Sequence, residues 1–119
     1  VQTCALPILI NVFLLELDGV PASSAAYLRR QDARAASCLA FVEAAYAGRE
    51  TLGEALGFVD IALTCALDWM AFRKRYDITA HPGLARVLAA HRERESFAAT
   101  HPRRAASAAL PYTPPGGKA

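Results

Sequence analysis

The fold of this chain is decided by residues 56–100, which read LGFVDIALTCALDWMAFRKRYDITAHPGLARVLAAHRERESFAAT. Within residues 58–67 only Asp60 and Thr64 are polar. A helix that is apolar on all sides is normally surrounded by other helices. The pattern therefore predicts a central helix over about residues 58–76 that other helices cover completely, in an all-α bundle.

The start of this predicted helix carries a capping pattern. Asp60 stands at the third helical position, from which its carboxylate can reach back to the backbone N–H of Gly57. Leu56 and Ile61 are spaced to close a hydrophobic staple around the cap. Gly57 has no side-chain acceptor, so only half of the reciprocal capping box is expected. An acid–base or metal-binding role for Asp60 is disfavoured, because no second carboxylate or His lies within helical reach.

The first half of the chain also has helical patterns. An apolar helix over residues 9–17 is ended by Gly19. A long second helix, capped by Ser23 or Ser24, is expected to end with Gly48 in a left-handed conformation. Its buried face is predicted from apolar residues at helical spacing: Leu28, Ala35, Leu39, Val42 and Tyr46.

Two shorter helices are predicted after residue 80. Pro82 suits the first position of a helix, where its missing N–H is not needed. Ser96 is expected to cap a last short helix whose Phe97 docks into the core. No internal repeat and no strand alternation is present, so the sequence predicts a bundle of four to five helices.

Composition indicates one soluble helical domain. At 119 residues the chain can bury a single core. Its apolar fraction of 54% is rich in Ala, Leu and Val, which suits close-packed helices. Three of the 13 basic residues lie after residue 102, and the other ten nearly balance the 11 acidic residues. The net charge of the predicted domain therefore indicates neither nucleic acid nor a membrane as a partner.

The cysteines and histidines show no spacing typical of a metal or redox site. Cys38 and Cys65 lie in helical patterns without Cys-x-x-Cys spacing and are expected to be small buried apolar groups, as is ordinary in a reducing cytoplasm. His81, His91 and His101 are ten residues apart rather than four, so they are not expected to share a metal ion.

The two ends of the chain are set apart from the predicted domain, which spans residues 9–102. Residues 1–8 read VQTCALPI, the in-frame translation of a common short-read sequencing adapter, and are interpreted as a library artefact. A secretion signal here is disfavoured, because no basic residue precedes the apolar segment and Pro7 interrupts it. Residues 103–119 have no apolar periodicity and are rich in Ala, Ser, Pro and Gly, so we expect them to be disordered.

Three separated motifs in residues 56–100 carry a family resemblance. Their residues are Asp60, Ile61 and Ala62, then His81, Pro82 and Leu84, then Arg94, Ser96, Phe97 and Thr100. They match (Ser/Thr)-x-x-Asp-Ile-Ala, His-Pro-x-Leu and Arg-Pro-Ser-Phe-x-x-Thr, except that Gly57 replaces the Ser/Thr and Glu95 the Pro. In this order and spacing they resemble the C-terminal half of a cytosolic glutathione transferase of bacterial type, and weaker similarity extends back to residue 14.

The resemblance implies the C-terminal helical domain of an enzyme that conjugates the glutathione thiolate to hydrophobic electrophiles. In that family a Tyr, Ser or Cys of a thioredoxin-like N-terminal domain stabilises the thiolate. No catalytic residue, metal or resident cofactor is therefore assigned to this chain, and glutathione enters as a co-substrate of the parent enzyme. The resemblance also implies a cytoplasmic homodimer. Because the thioredoxin-like domain is not among these 119 residues, we expect them to have no transferase activity alone and to bind glutathione negligibly.

Trp69, Met70 and Phe72 are the candidate substrate-binding residues. After residue 67 the predicted helix changes from apolar to a mixture of aromatic and charged residues. In the family the hydrophobic-substrate pocket borrows residues from the helical domain, which favours these three as its wall. The alternative is that these three side chains pack against a neighbouring helix. Two interpretations of Arg73 are possible: it binds a carboxylate, or it lies in a solvated helix end.

Two other hypotheses about the function are considered beside the enzyme. The same helical domain occurs as a non-catalytic protein-interaction module in translation factors and synthetase complexes. A free-standing four-helix protein with the same packing rules is the third hypothesis. The gene sequence upstream of residue 9 distinguishes them, because a thioredoxin-like segment there is expected only for the enzyme.

Overall fold

The computed structural model describes residues 5–21 and 26–101. These residues form five α-helices and a 3₁₀ turn, with no strand among them: α1 (Ala5–Leu17), α2 (Ala26–Ala45), α3 (Phe58–Phe72), the 3₁₀ turn (Ile78–Ala80), α4 (Pro82–Arg92) and α5 (Glu95–Thr100). The predicted all-α class with four to five helices is confirmed. Ser23, Ser24 and residues 103–119 lie outside the described residues, so the cap and the disorder predicted there stay predictions.

The core lies where α1, α2, α3 and α4 meet. α1 packs along α2, α3 packs along α4, and α4 also contacts α2 and α5. α1 begins at Ala5 rather than residue 9, because apolar residues 8, 9 and 12 keep the helical spacing and are all buried. The most deeply buried side chains are Leu9, Val12, Leu28, Ala35, Tyr46, Asp60, Thr64, Leu67, Met70, Leu84 and Val87. No helix within residues 5–21 and 26–101 combines the length and the apolar character needed to cross a membrane.

One face of α3 is uncovered, so the prediction that other helices surround it completely is wrong for the described residues. Phe58 is 79% exposed, and Val59, Ile61 and Cys65 are also exposed. The expected burial of Cys65 is therefore wrong as well, while Cys38 is half-buried. Apolar composition identified the helix, but the helices of the described residues cover only part of its surface.

The short helix α5 differs from its prediction. Its N-cap is Arg94, in an extended conformation with φ −63° and ψ 140°, and Ser96 lies inside the helix. The carbonyl of Arg94 already accepts the N–H of Ala98, so helical bonding starts two residues before the predicted cap. Phe97 is half-buried on the surface of α3 rather than within the core.

α3 also ends four residues earlier than predicted, at Phe72, because Lys74 adopts a left-handed conformation with φ +52°. The N–H of Arg75 bonds the carbonyl of Met70 at 3.0 Å, and the N–H of Lys74 bonds that of Ala71 at 3.2 Å. This pair of bonds is a Schellman motif, which satisfies the last carbonyls of a helix.

α1 ends in the same motif with a different residue at the left-handed position. There Gly19 has φ +81°, and the N–H groups of Gly19 and Val20 bond the carbonyls of Glu16 and Leu15. Glycine adopts this conformation without steric cost, whereas a lysine does not. Gly48, which follows α2, has φ +72°, as the sequence predicts.

Replacing Lys74 with Gly is expected to raise the free energy of unfolding by about 1 kcal/mol, because the left-handed conformation disfavours a side chain. The matched control is Lys74→Ala, which removes the same charge and keeps a Cβ. Equilibrium urea unfolding of the three proteins measures the difference. Equal stability of the Gly and Ala variants would show that position 74 is not strained.

Candidate functional site

An apolar cavity of about 130 Å³ opens between the start of α1, the second half of α2 and α3. Its polar neighbour, the hydroxyl of Tyr46, donates a 2.7 Å hydrogen bond to Asp60 and is thereby satisfied. A dry cavity of roughly 150 Å³ holds a molecule the size of benzene. The cavity can therefore take one monocyclic apolar group, and its wall includes Phe41, Val42, Leu52, Val59 and Met70. Leu6, which also lines it, belongs to the residues interpreted above as a library artefact.

The three predicted substrate-binding residues do not share this cavity. Met70 is 1% exposed and forms part of its wall and of the core. Trp69 is half-buried, with its ring edge-on to Phe13 of α1 at a centroid distance of 6.1 Å. Phe72 is also half-buried and meets His101 edge-on at 5.6 Å. Successive helical residues point in different directions, so Trp69 and Phe72 approach a second site on the other side of the helix.

This second site is a cation–aromatic cluster, formed by Phe13, Trp69, Phe72 and Arg73. The guanidinium carbon of Arg73 lies 5.5 Å from the ring centroid of Phe13 and 5.3 Å from that of Phe72. At these distances the cation is attracted to the face of each ring. Tyr76 lies beyond the end of α3, where it stacks on His81 and shares a 3.0 Å hydrogen bond with its Nε2.

Asp60 is the centre of a buried hydrogen-bond network that reaches far beyond its own helix. Its carboxylate is 1% exposed and accepts bonds from the N–H of Gly57 (2.7 Å), the hydroxyl of Tyr46 (2.7 Å) and the N–H of Leu52 (2.9 Å). The bond to Gly57 is local and readable from the sequence. The other two donors come from α2 and from the segment between α2 and α3, and no pattern in the sequence points to them.

Electrostatics place Asp60 in a structural rather than a catalytic role. Burial alone raises the pKa of its carboxyl, but hydrogen bonds from Gly57, Tyr46 and Leu52 together outweigh burial, and with the nearby His91 they lower it. Burial, and then the hydrogen bond and charge of Asp60, raise the pKa of Tyr46. Asp60 is therefore a fully bonded anion enclosed from solvent, without the access that a general acid or base needs.

Glu43 of α2 is a residue that the sequence reading missed. Its carboxylate accepts the N–H of Gly83 at 2.7 Å and that of Leu84 at 3.0 Å, and so caps the start of α4 from another helix. The N-cap residue of α4, His81, makes no side-chain cap bond. The one available signal was negative: no Ser, Thr, Asp or Asn stands at position 81, so the helix start lacks a local cap.

The family model of the glutathione S-transferase C-terminal domain matches residues 25–90. This chain belongs to that family. The match covers α2, α3 and most of α4, and so includes Asp60, Glu43 and the larger part of the cavity wall. Comparison with curated proteins and with solved structures found no match.

The histidines of this glutathione S-transferase C-terminal domain lie in three separate places. His81 stacks on Tyr76, His91 is 5% exposed and its Nε2 bonds the carbonyl of Glu50 at 2.9 Å, and His101 approaches Asp68 at 3.4 Å. No three His, Cys, Asp or Glu side chains converge as metal ligands among residues 5–21 and 26–101.

The uncovered face of α3 in this glutathione S-transferase C-terminal domain continues onto α5 as a shallow surface groove. The two residues predicted as a hydrophobic staple, Leu56 and Ile61, both line it, together with Cys65 and Phe97. Ile61 is 40% exposed there. The described chain thus leaves two apolar features open to solvent, the cavity and this groove.

Proposed function

We infer that this domain supplies the hydrophobic-substrate side of a glutathione transferase. The observation that carries the proposal is the apolar cavity between α1, α2 and α3, in a chain of the transferase family. The walls are apolar and contain no unsatisfied polar group, so the cavity favours an uncharged ring as its ligand and excludes water. Met70 lines this cavity, and Trp69 and Phe72 extend the binding surface on the other side of α3.

The reaction proposed for the parent enzyme is attack of the glutathione thiolate on the electrophile. A new C–S bond forms, and the electron pair of the bond that breaks leaves with the departing group, as with the halide of an aryl halide. Only the thiolate is nucleophilic, so a group that lowers the thiol pKa is required. We assign that group and most glutathione contacts to a thioredoxin-like domain, and to this chain the binding and orientation of the electrophile.

The proposed partners follow from the same assignment. A glutathione-binding domain is the proposed cover for the groove between α3 and α5, because that groove is apolar and exposed. Homodimerisation and a cytoplasmic location are proposed on the family alone. Residues 1–119 by themselves are expected to show no conjugating activity.

Filling the cavity tests the proposal. Ala45 lines the cavity and is exposed, so Ala45→Phe can occupy its space without opening the core. We expect chlorobenzene to raise the melting temperature of the unmodified chain by mass action, and its binding to weaken about fivefold or more in the variant. The matched control is Ala44→Phe, an adjacent exposed position that does not line the cavity, where binding is expected to be unchanged.

A second experiment measures the kinetics of a complete glutathione transferase that contains this domain. Ala45→Phe is expected to raise KM for the hydrophobic electrophile and to leave KM for glutathione nearly unchanged, since the two substrates are held by different domains. Equal changes in both constants, or chlorobenzene binding that is the same in all three proteins, would contradict the assignment of the cavity.

The interaction module remains the second candidate, and the exposed face of α3 favours it. Phe58 is 79% exposed and its neighbours Val59 and Ile61 are exposed too, and a contiguous exposed apolar patch is typical of an interaction site. If chlorobenzene does not bind, while Phe58→Ser lowers the self-association or partner binding of the chain, the module is the better description.

A further inference from the structure

Arg73 is held in a position suited to ligand recognition. Its guanidinium lies against the rings of Phe13 and Phe72, at 5.5 and 5.3 Å, and these rings belong to different helices. Phe13 is in turn fixed by the edge of Trp69, and Phe72 by His101. A guanidinium that stacks on aromatic faces keeps its N–H groups in the plane between them, where they can bond a planar anion.

The charge of Arg73 is not needed to complete the end of α3. The carbonyls of Trp69, Met70 and Ala71 all receive backbone N–H groups, from Arg73, Arg75 and Lys74 respectively. The sequence left open that Arg73 simply lies in a solvated helix end. The three carbonyl groups at that end already accept backbone N–H groups and do not need the side chain of Arg73. The side chain of Arg73 is free of a capping role.

The cluster also has an excess of positive charge. Arg75 forms a two-pronged ion pair with Glu16, so these two side chains neutralise each other. Within residues 5–21 and 26–101, Arg73 has no carboxylate within ion-pair distance. Lys74 beside it is exposed. An anion that approached Arg73 would therefore meet an uncompensated cation next to three aromatic rings.

We propose that Phe13, Trp69, Phe72 and Arg73 form a binding site for aryl carboxylates, and that the electrophiles of the parent enzyme include aromatic acids. The carboxylate bonds the N–H groups of Arg73, and the aryl ring lies against the half-buried side chains of Trp69 and Phe72. The choice of substrate class rests on the proposed transferase function, whereas the binding site itself rests on the cluster alone.

Fluorescence of Trp69, the only tryptophan in the chain, measures binding at the cluster directly. The probes are 2-naphthoate and its neutral counterpart 2-naphthalenemethanol, which share a ring system and differ in charge. We expect the acid to bind about tenfold more tightly than the alcohol, because charge-assisted bonds to a guanidinium are the stronger ones. Added salt is expected to reduce the difference, since the site is open to solvent.

Variants of two neighbouring cations separate recognition by Arg73 from general attraction to a basic surface. Arg73→Gln is expected to abolish the preference for the acid, and Arg73→Lys to lose about two-thirds of it, because an ammonium lacks the planar fork. The matched control Lys74→Gln removes an equal charge one residue away and is expected to change the affinity by less than about twofold. Melting temperatures confirm that each variant is folded before it is titrated.

The proposal is overturned if the acid and the alcohol bind equally, or if Lys74→Gln weakens the acid as much as Arg73→Gln does. Its failure is distinguishable from failure of the transferase proposal. Chlorobenzene binding and its loss in Ala45→Phe report on the cavity, which lies on the other side of α3, and they do not depend on Arg73. In an intact enzyme, Arg73→Gln is expected to raise KM for an acidic aryl electrophile and to leave KM for its neutral ester unchanged.

Discussion

Replacing Asp60 with Ala is expected to lower the free energy of unfolding by about 3 kcal/mol, because the donors that it binds lose their charged acceptor and α3 loses its N-terminal cap. The carboxylate is 1% exposed and accepts three hydrogen bonds. Without it the buried hydroxyl of Tyr46 loses its partner, and so does the partly buried N–H of Leu52. The connection between α2 and α3 then loses the anchor that joins it to both helices.

Urea unfolding followed by circular dichroism measures this change. Glu54→Ala is the matched control, because Glu54 is an exposed acid in the same connection, and its effect is expected to stay within about 0.5 kcal/mol. If Asp60→Ala does not fold, Tyr46→Phe tests the same network by removing a single donor, at a cost of about 1–2 kcal/mol. A loss below 1 kcal/mol for Asp60→Ala would contradict a role beyond the local cap.

Acid titration gives a second measurement of the same interaction. Hydrogen bonds lower the pKa of Asp60 in the folded state, and an unfolded Asp has a pKa near 3.9. Its stabilising contribution is therefore complete above about pH 4 and is lost as the pH falls through the lower, folded value. Asp60→Asn is expected to remove this part of the acid sensitivity, whereas Glu54→Ala is expected to retain it.

Replacing Glu43 with Ala is expected to cost about 2 kcal/mol, because it leaves the N–H groups of Gly83 and Leu84 without their charged acceptor. Gly83 has no Cβ, and this lets the carboxylate approach. A Cβ there would lie 2.8 Å from Oε1 of Glu43. Gly83→Ala is therefore expected to displace the cap and to destabilise the domain by about 1 kcal/mol, even though Ala is the better helix former.

A double-mutant cycle makes this prediction specific. In the Glu43→Ala background the clash is gone, so Gly83→Ala should become stabilising by about 1 kcal/mol, the ordinary difference in helix propensity. Ala89→Gly, at an exposed position of the same helix, calibrates that difference. If Gly83→Ala has the same effect with and without Glu43, the carboxylate does not cap α4.

Features that depend on neighbours within about four residues were predictable from the sequence. The start of α3 at Phe58, the bond from Gly57 to Asp60 and the left-handed Gly48 all follow from chemistry within one helical turn. The all-α class follows from apolar spacing, which repeats with the helical period along the chain. The resemblance that led to the family rests on the same short motifs.

Tertiary structure decided whatever joins residues far apart in the chain. Tyr46 reaches Asp60 across 14 residues, Glu43 reaches Gly83 across 40, and Arg75 reaches Glu16 across 59. Trp69 and Met70 are adjacent in sequence, yet Trp69 meets Phe13 of α1 and Met70 lines the cavity, because successive residues of a helix point in different directions. Apolar periodicity shows that a helix has a face to bury. Which face is covered, and by what, depends on the elements that pack against it, and these meet only when the chain has folded.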